Sequence, residues 1–321
     1  MSLLAGKSDC DKIIYMNTIF MTADDIVRKG MQLVNVSASE IYRIVSLDSS
    51  GTEGKKKRLF FSADDLERTV SFFEHGMSYI CSPGSTTAIL MPGGGPNGLN
   101  DLLSKGLEKI GVKAVDVSVS ADITNSEEVL SFLSDLHPDT IVGMPWDMRY
   151  LAMMLPKLCP KSVLISADYV PSGCKDIIKS FWKNTKVFLH YGMTECCYGF
   201  AVEHSEGSGM FIRDDEFKAE IIDPETLEPV PFGQKGELVF TTVNRRAMPL
   251  INYRTGDIAS MSEDGRLIGV YGRIKVPTSY YQNLDEICLM KDTSDFNRKD
   301  GIIEPVGKNE RVNYVFCRKR G

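Results

Sequence analysis

The sequence predicts an α/β protein: a parallel sheet covered by helices, with an antiparallel β subdomain after it. Three observations predict this. Between Ala88 and Leu189, short apolar runs alternate with segments of helical periodicity. The glycine-rich turn Pro92–Gly98 follows the first such run, where α/β sheets place ligands. From Tyr198 onward the runs become short and are separated by turn residues.

Each element has its own signal along the chain. Ile26, Val27, Met31 and Leu33 recur at roughly helical intervals between Thr22 and Leu33. Ile41, Ile44 and Val45 precede the loop Ser49-Ser50-Gly51-Thr52-Glu53-Gly54-Lys55, and Leu59-Phe60-Phe61 come after it, so the stretch reads as strand, loop, strand. Ser62 with Asp65 makes a capping box for a helix from Ala63 to about Tyr79, whose Leu66, Val70, Phe73 and Met77 share one face. Strands are then expected at 88–91, 114–119, 139–143, 162–166 and 186–189, with helices at 99–110, 125–136, 147–155 and 171–182. Further short strands are expected at 198–202, 209–212, 218–222, 237–243 and 265–271. A short helix (283–290) and one more strand (312–316) remain after Lys275.

Composition narrows the function classes. The 321 residues carry a net charge of −6, which argues against a nucleic-acid footprint. No apolar window is long enough for a membrane span, and the first residues do not read as a signal peptide. With eight cysteines at scattered positions, free thiols in a cytoplasmic protein are expected. Cys196, Cys197 and His204 hint at zinc, but no second pair at metal spacing supports it. His75, His137, His190 and His204 form no triad pattern with an acid and a nucleophile.

Against that acidic background, Lys55–Arg58 is a local basic cluster beside glycines and hydroxyls. Such a bend can present backbone N–H groups to a triphosphate; a solvated basic hairpin is the other reading. Thr194-Glu195, after a parallel strand, suits a phosphate and a magnesium ion, and otherwise reads as a turn with an exposed acid. Asp257, after the Gly256 bend, is placed to accept from a diol such as ribose, or else closes an Asx turn. Pro92–Asn97, Met144–Trp146, Met193 and Cys196–Phe200 are candidate linings for an apolar ligand, with core packing the other reading.

Four motifs occur in one order: SSGTEGK, YGMTE, YRTGD, and Gly272-Arg273 with Lys275. Together with Ala219–Thr226, Gly236–Thr242 and Pro249–Asp257, they resemble the ANL superfamily of adenylate-forming enzymes, and within it the phenylacetate–CoA ligase-like branch. The resemblance spans about residues 39–275. It implies ATP-dependent activation of a carboxylic acid, of an aryl, phenylacetate-like kind, to an acyl-adenylate with release of pyrophosphate. The acyl group then passes to CoA or another acceptor.

The resemblance also implies roles. Ser49, Ser50, Gly51, Thr52, Gly54 and Lys55 would cradle the β and γ phosphates, Lys55 with a catalytic part. Ala167, Asp168 and Tyr169 would flank adenine, with Tyr191 and Gly192 beside them. Thr194 would contact the α phosphate and Glu195 would ligate magnesium. Asp257 and Arg273 would hold the ribose, and Lys275 would stand at the hinge. Glu53 stands where many members have Thr.

Residues 1–273 are expected to form the AMP-binding core, and 274–321 a hinge and a truncated form of the family's small C-terminal domain. The implied partners are a small-molecule carboxylic acid and CoA or an acyl-acceptor protein, with a homodimer admitted and neither nucleic acid nor membrane. The alternative is a nucleotide-binding regulatory or partner protein without ligase turnover.

Overall fold

A computed structural model describes residues 19–48, 56–117, 127–289, 296–299 and 302–305. The expected phosphate loop 49–55 and the expected strand 312–316 lie outside these residues.

The capping box at Ser62 forms as the sequence predicts. Its Oγ accepts from Asp65 N, and the Asp65 carboxylate accepts from Ser62 N, opening helix α2 (Ala63–Ser78). The earlier helix α1 (Ala23–Lys29) starts in the same way, from Thr22 and Asp25. Strands β1 (Arg43–Asp48) and β2 (Lys56–Phe61) pair antiparallel as a separate hairpin.

The alternating run after the hairpin gives β3 (Thr86–Leu90), α3 (Leu99–Lys109), β4 (Lys113–Asp116), α4 (Glu127–Leu136), β5 (Thr140–Gly143), α5 (Pro145–Met154), β6 (Ser162–Ile165), α6 (Cys174–Phe181) and β7 (Lys186–Tyr191). The order across this half of the sheet is β4-β3-β5-β6-β7, all parallel. Between β3 and β5 the order reverses direction relative to the chain, which opens a crevice at the strands' carboxyl ends. All four residues of β5 and of β6 are buried, as expected of strands covered on both faces.

The antiparallel strands continue the same sheet rather than forming a layer of their own. They are β8 (Ala201–Glu203), β9 (Met210–Ile212), β10 (Phe217–Ile222), β11 (Gly236–Thr242), β12 (Tyr253–Met261) and β13 (Leu267–Arg273). They extend the parallel half in the order β7-β8-β9-β13-β12-β11-β10, so one sheet of eleven strands runs through the core. Helix α7 (Thr278–Leu289) then packs back on the parallel half, where Arg149 Nε donates to Cys288 O at 2.9 Å. A small hairpin, β14 (Phe296–Lys299) and β15 (Ile302–Pro305), comes last.

Strand β12 departs from expectation. Residues 252–257 read as a bend closed by an acid, yet Tyr253–Met261 is one strand. The bend survives inside it as a bulge: Arg254 pairs with Val239 and Ile258 with Glu237, so Thr255, Gly256 and Asp257 stand opposite Leu238 alone. Gly256 takes φ +76°, and its N–H donates to the buried Glu237 carboxylate at 3.0 Å.

Candidate functional site

Two carboxylates organise the site: Glu195, just beyond β7, and Asp257, in β12. Asp257 is aimed by the bulge: its own N–H donates to Thr255 Oγ1 (3.0 Å), and that hydroxyl donates to Leu238 O (2.8 Å). Asp257 Oδ2 accepts from the Tyr191 hydroxyl at 2.7 Å, and Oδ1 meets Arg273 Nε at 3.0 Å. Burial pushes the Asp257 carboxyl above its ordinary range, although Arg273 and Tyr191 both pull it down. Burial and the neighbouring carboxylate likewise raise Tyr191, keeping its hydroxyl a donor.

Glu195 lies in the short 3₁₀ turn Thr194–Cys196, just beyond β7. Its Oε1 accepts from the Tyr253 hydroxyl at 2.8 Å and pairs with the Lys57 ammonium. Its backbone carbonyl accepts from the Arg245 guanidinium at 2.8 Å, which itself lies over the Phe61 ring. Burial alone would raise the Glu195 carboxyl, but the Lys57 charge and the hydrogen bonds from Lys57 and Tyr253 leave it below the ordinary value. Tyr253 and Asp257 share strand β12, and the Glu195 charge is close enough to help raise the Asp257 carboxyl.

The turn is held by backbone constraint. A Cβ on Gly192 would stand 1.8 Å from Tyr198 O. Cys197 and Tyr198 both take left-handed φ, +54° and +72°, which turns the chain sharply into β8.

Of the residues expected at the site, the structure brings together Tyr191, Gly192, Thr194, Glu195, Asp257 and Arg273. Ala167, Asp168 and Tyr169 come directly after β6, the neighbour of β7. Ala167 takes φ +70°, and burial lifts the Asp168 carboxyl to about 7. Tyr169 is tied to α7, donating to Asp285 at 2.9 Å, with its ring 4.6 Å from that of Tyr281. Tyr281 in turn accepts from Arg273 N at 2.8 Å, which links this segment to the Asp257 cluster. Lys275 stands exposed in the turn before α7, away from either carboxylate's described contacts. Ser49, Ser50, Gly51, Thr52, Gly54 and Lys55 lie outside the described residues.

The sequence assigned no role to Lys57, Tyr253, Arg245 or Thr255, although Lys57 lies in the basic cluster and Tyr253 and Thr255 lie in YRTGD. For Lys57 a signal existed: strand alternation places it on the same side as the buried Leu59 and Phe61. Met144, Trp146, Cys196, Cys197 and Phe200 are buried in the hydrophobic core. His204 stacks between Tyr79 (3.9 Å) and Phe211 (4.1 Å), away from both cysteines' described contacts. Among the described residues no three His, Cys, Asp or Glu side chains gather as a metal-ligand group.

Comparisons with known proteins bear on the fold. No family model matches the chain. A phenylacetate–coenzyme A ligase of Thermus thermophilus is 28% identical over 249 residues, covering 74% of this chain and 54% of the relative. One from Aromatoleum evansii is 31% identical over 165 residues, covering 49% of this chain and 36% of the relative. The chain thus spans about half the length of the first of these relatives, and less of the second. Among solved structures, an open conformation of 2-hydroxyisobutyryl-CoA ligase with its acyl-AMP and CoA superposes with a TM-score of 0.69 at 20% identity, covering 89% of this chain and 73% of that one. The thioesterification state of the same ligase gives 0.67 at 21% identity, covering 80% and 58%. The fold is that of adenylate-forming enzymes. Among the described residues, no helix is long and apolar enough to cross a membrane.

Proposed function

We infer from its place among the ANL adenylate-forming enzymes, beside the phenylacetate–coenzyme A ligases, that this chain activates a carboxylic acid with ATP. The acid's carboxylate oxygen bonds to the α phosphorus, the bond from that phosphorus to the bridging oxygen breaks, and pyrophosphate leaves. The observation that carries the reading is the pair of pre-aimed carboxylates, Asp257 held by Tyr191 and Arg273, and Glu195 held by Tyr253 and Lys57.

Such a reaction needs positioning and charge compensation more than covalent help from the protein. Asp257 already accepts one donor on each oxygen, and a carboxylate has about four lone-pair sites, so it retains capacity for ribose hydroxyls. Ala167, Asp168 and Tyr169 would flank the adenine. Thr194 would contact the α phosphate, and the residues of the 49–55 loop, Lys55 among them, would cover the outer phosphates.

A magnesium ion fits Glu195, because such ions are commonly held by one or two carboxylates plus substrate phosphates. When bound, it neutralises charge on the phosphates. Lys57, paired with Glu195, would add positive charge on the side of the site where pyrophosphate leaves. The acid is of an aryl or compact apolar kind, and CoA is the acceptor favoured by the names of the relatives. Residues 1–273 would form the nucleotide-binding core, with Lys275 at the hinge that joins it to α7 and the C-terminal segment.

ATP–pyrophosphate exchange with a panel of acids tests this. Exchange that needs magnesium and one class of acid is expected; ATP binding without exchange for any acid would overturn it. A second reading, a nucleotide-binding partner protein without turnover, draws on Lys57 sitting on the carboxylate that the reaction requires.

A further inference from the structure

Two cysteines meet where three helices converge. Cys174 opens α6 and Cys288 lies in the last turn of α7; both are buried, and their thiols hydrogen-bond to one another. Helix α5 completes the surroundings: Pro145 O lies 3.7 Å from Cys174 Sγ, and Arg149 Nε donates to Cys288 O at 2.9 Å. The helices approach closely at this point, since a Cβ on Gly173 would stand 2.6 Å from Leu289 Cδ2.

The two thiols are chemically unequal. The hydrogen bond from Cys174 and the Arg149 charge hold the Cys288 thiol below its ordinary value, against burial and the Asp285 charge. The same hydrogen bond and burial push Cys174 up, although the Arg149 and Lys175 charges oppose them. Cys288 is therefore the sulfur that ionises and Cys174 the one that keeps its proton. A guanidinium nearby and a second thiol in reach are the setting of a reactive cysteine, and packing alone requires neither.

We propose that Cys174 and Cys288 are a reversible dithiol–disulfide pair, oxidised by a peroxide, that latches α7 to the core. The proposal goes beyond the adenylation reading and does not depend on it. Hydrogen peroxide is about the size of water, and helix ends fray, so the last turn of α7 gives it access to Cys288. The Cys288 thiolate attacks one peroxide oxygen, the O–O bond breaks, and the leaving hydroxide takes up a proton to become water. The Cys174 sulfur then attacks the sulfenic acid on Cys288. The S–S bond forms, the S–O bond breaks, and the hydroxide leaves with the Cys174 proton as a second water. Two thiols have lost two electrons and one peroxide has gained them. A small thiol reverses the step by exchange.

The latch reaches the candidate site through α7. Asp285 Oδ1 accepts from the Tyr169 hydroxyl (2.9 Å) and from Ser172 N (2.6 Å), and the Tyr281 hydroxyl accepts from Arg273 N (2.8 Å). A covalent bond to α6 fixes the helix that carries Asp285 and Tyr281. It thereby steadies the segment after β6 and the arginine that meets Asp257.

The test is peptide mapping and hydrogen exchange on the whole chain in three states: reduced, treated with hydrogen peroxide, and treated then reduced with dithiothreitol. A Cys174–Cys288 peptide is expected as the main linkage after peroxide and should disappear with dithiothreitol. Amides of α7 should exchange at least tenfold more slowly in the oxidised state. Cys288→Ser should abolish both changes; if that variant does not fold, mapping of the wild type decides. Oxidation of the exposed Cys159 without a Cys174–Cys288 link overturns the proposal. So does a link that dithiothreitol does not reverse, or one that leaves α7 exchange unchanged. Neither readout involves a nucleotide, so the adenylation reading stands or falls separately.

Discussion

Lys57 and Glu195, 138 residues apart in the chain, meet as an ion pair whose side chains are only 15% and 5% exposed. The β1–β2 hairpin is thereby tied to the turn after β7. Removing one member of such a pair costs more than removing both, because the survivor keeps its desolvation cost without its partner. Lys57→Met should therefore destabilise the fold by about 3 kcal/mol. The double variant Lys57→Met/Glu195→Gln should recover much of that in urea unfolding. A double variant less stable than the sum of the singles would contradict this picture.

The Asp257 cluster predicts a separation between binding and folding. Asp257→Asn keeps the shape but removes the charge that Arg273 meets and weakens the acceptor for a diol. AMP affinity should fall at least tenfold, with a melting temperature close to the parent's. Equilibrium binding and a thermal melt on the same sample check both halves.

Gly192 leaves no room for a side chain, because a Cβ would stand 1.8 Å from Tyr198 O. That neighbour is backbone in a left-handed stretch and cannot swing aside as a flexible side chain would. Gly192→Ala should cost about 3 kcal/mol or more, within the range that steric overpacking and backbone shifts produce. Denaturant midpoints of the variant and parent measure it.

Asp65 is the quiet brace of the site. Beyond capping α2, its carboxylate accepts from Arg246 N (2.8 Å) and Ala247 N (3.1 Å), holding the strand-linking loop that carries Arg245. Asp65→Ala would orphan three backbone donors, including Ser62 N at 2.8 Å. A loss of about 3 kcal/mol is expected from unmet, partly buried donors to a charged acceptor. Chemical denaturation should register it, and hydrogen exchange at Arg246 and Ala247 should speed up.

Two half-buried groups give pH dependences of opposite sign. His190 titrates at about 4 in the fold against 6.5 ordinarily, so the unfolded chain binds more protons between those values. Its contribution is complete above pH 6.5 and is lost as pH falls toward 4. Asp168 is raised from 3.8 to about 7, so the folded chain binds more protons there, and stability declines as pH rises from 4 to 7. In urea unfolding across pH 4–8, His190→Leu should flatten the acid-side loss and Asp168→Asn the decline toward neutrality. A His190→Leu curve parallel to the wild type would contradict the assignment.

The alternating half of the fold was legible because each element carries its own period. Leu66, Val70, Phe73 and Met77 mark a helix face, and all four are buried. Strand β12 was not legible, because Thr255-Gly256-Asp257 has the composition of a turn, and only pairing with β11 and β13 makes it a bulge inside a strand. Met144 and Trp146 read equally as pocket lining or as core, because apolar side chains look alike in sequence whether they face a ligand or a core; both are buried.

By itself, the sequence determined the order of elements, the cap at Ser62, and the candidate carboxylates at 195 and 257, since these depend on neighbours within a few residues. Only the tertiary structure decided that Lys57 reaches Glu195, that Tyr191 and Arg273 take the two oxygens of Asp257, and that His190 lies beside Ser166 and the Phe72 and Phe73 rings. Those contacts join strands far apart in the chain. Which side chains meet there depends on strand order and register, and the register of a pairing is a property of both strands.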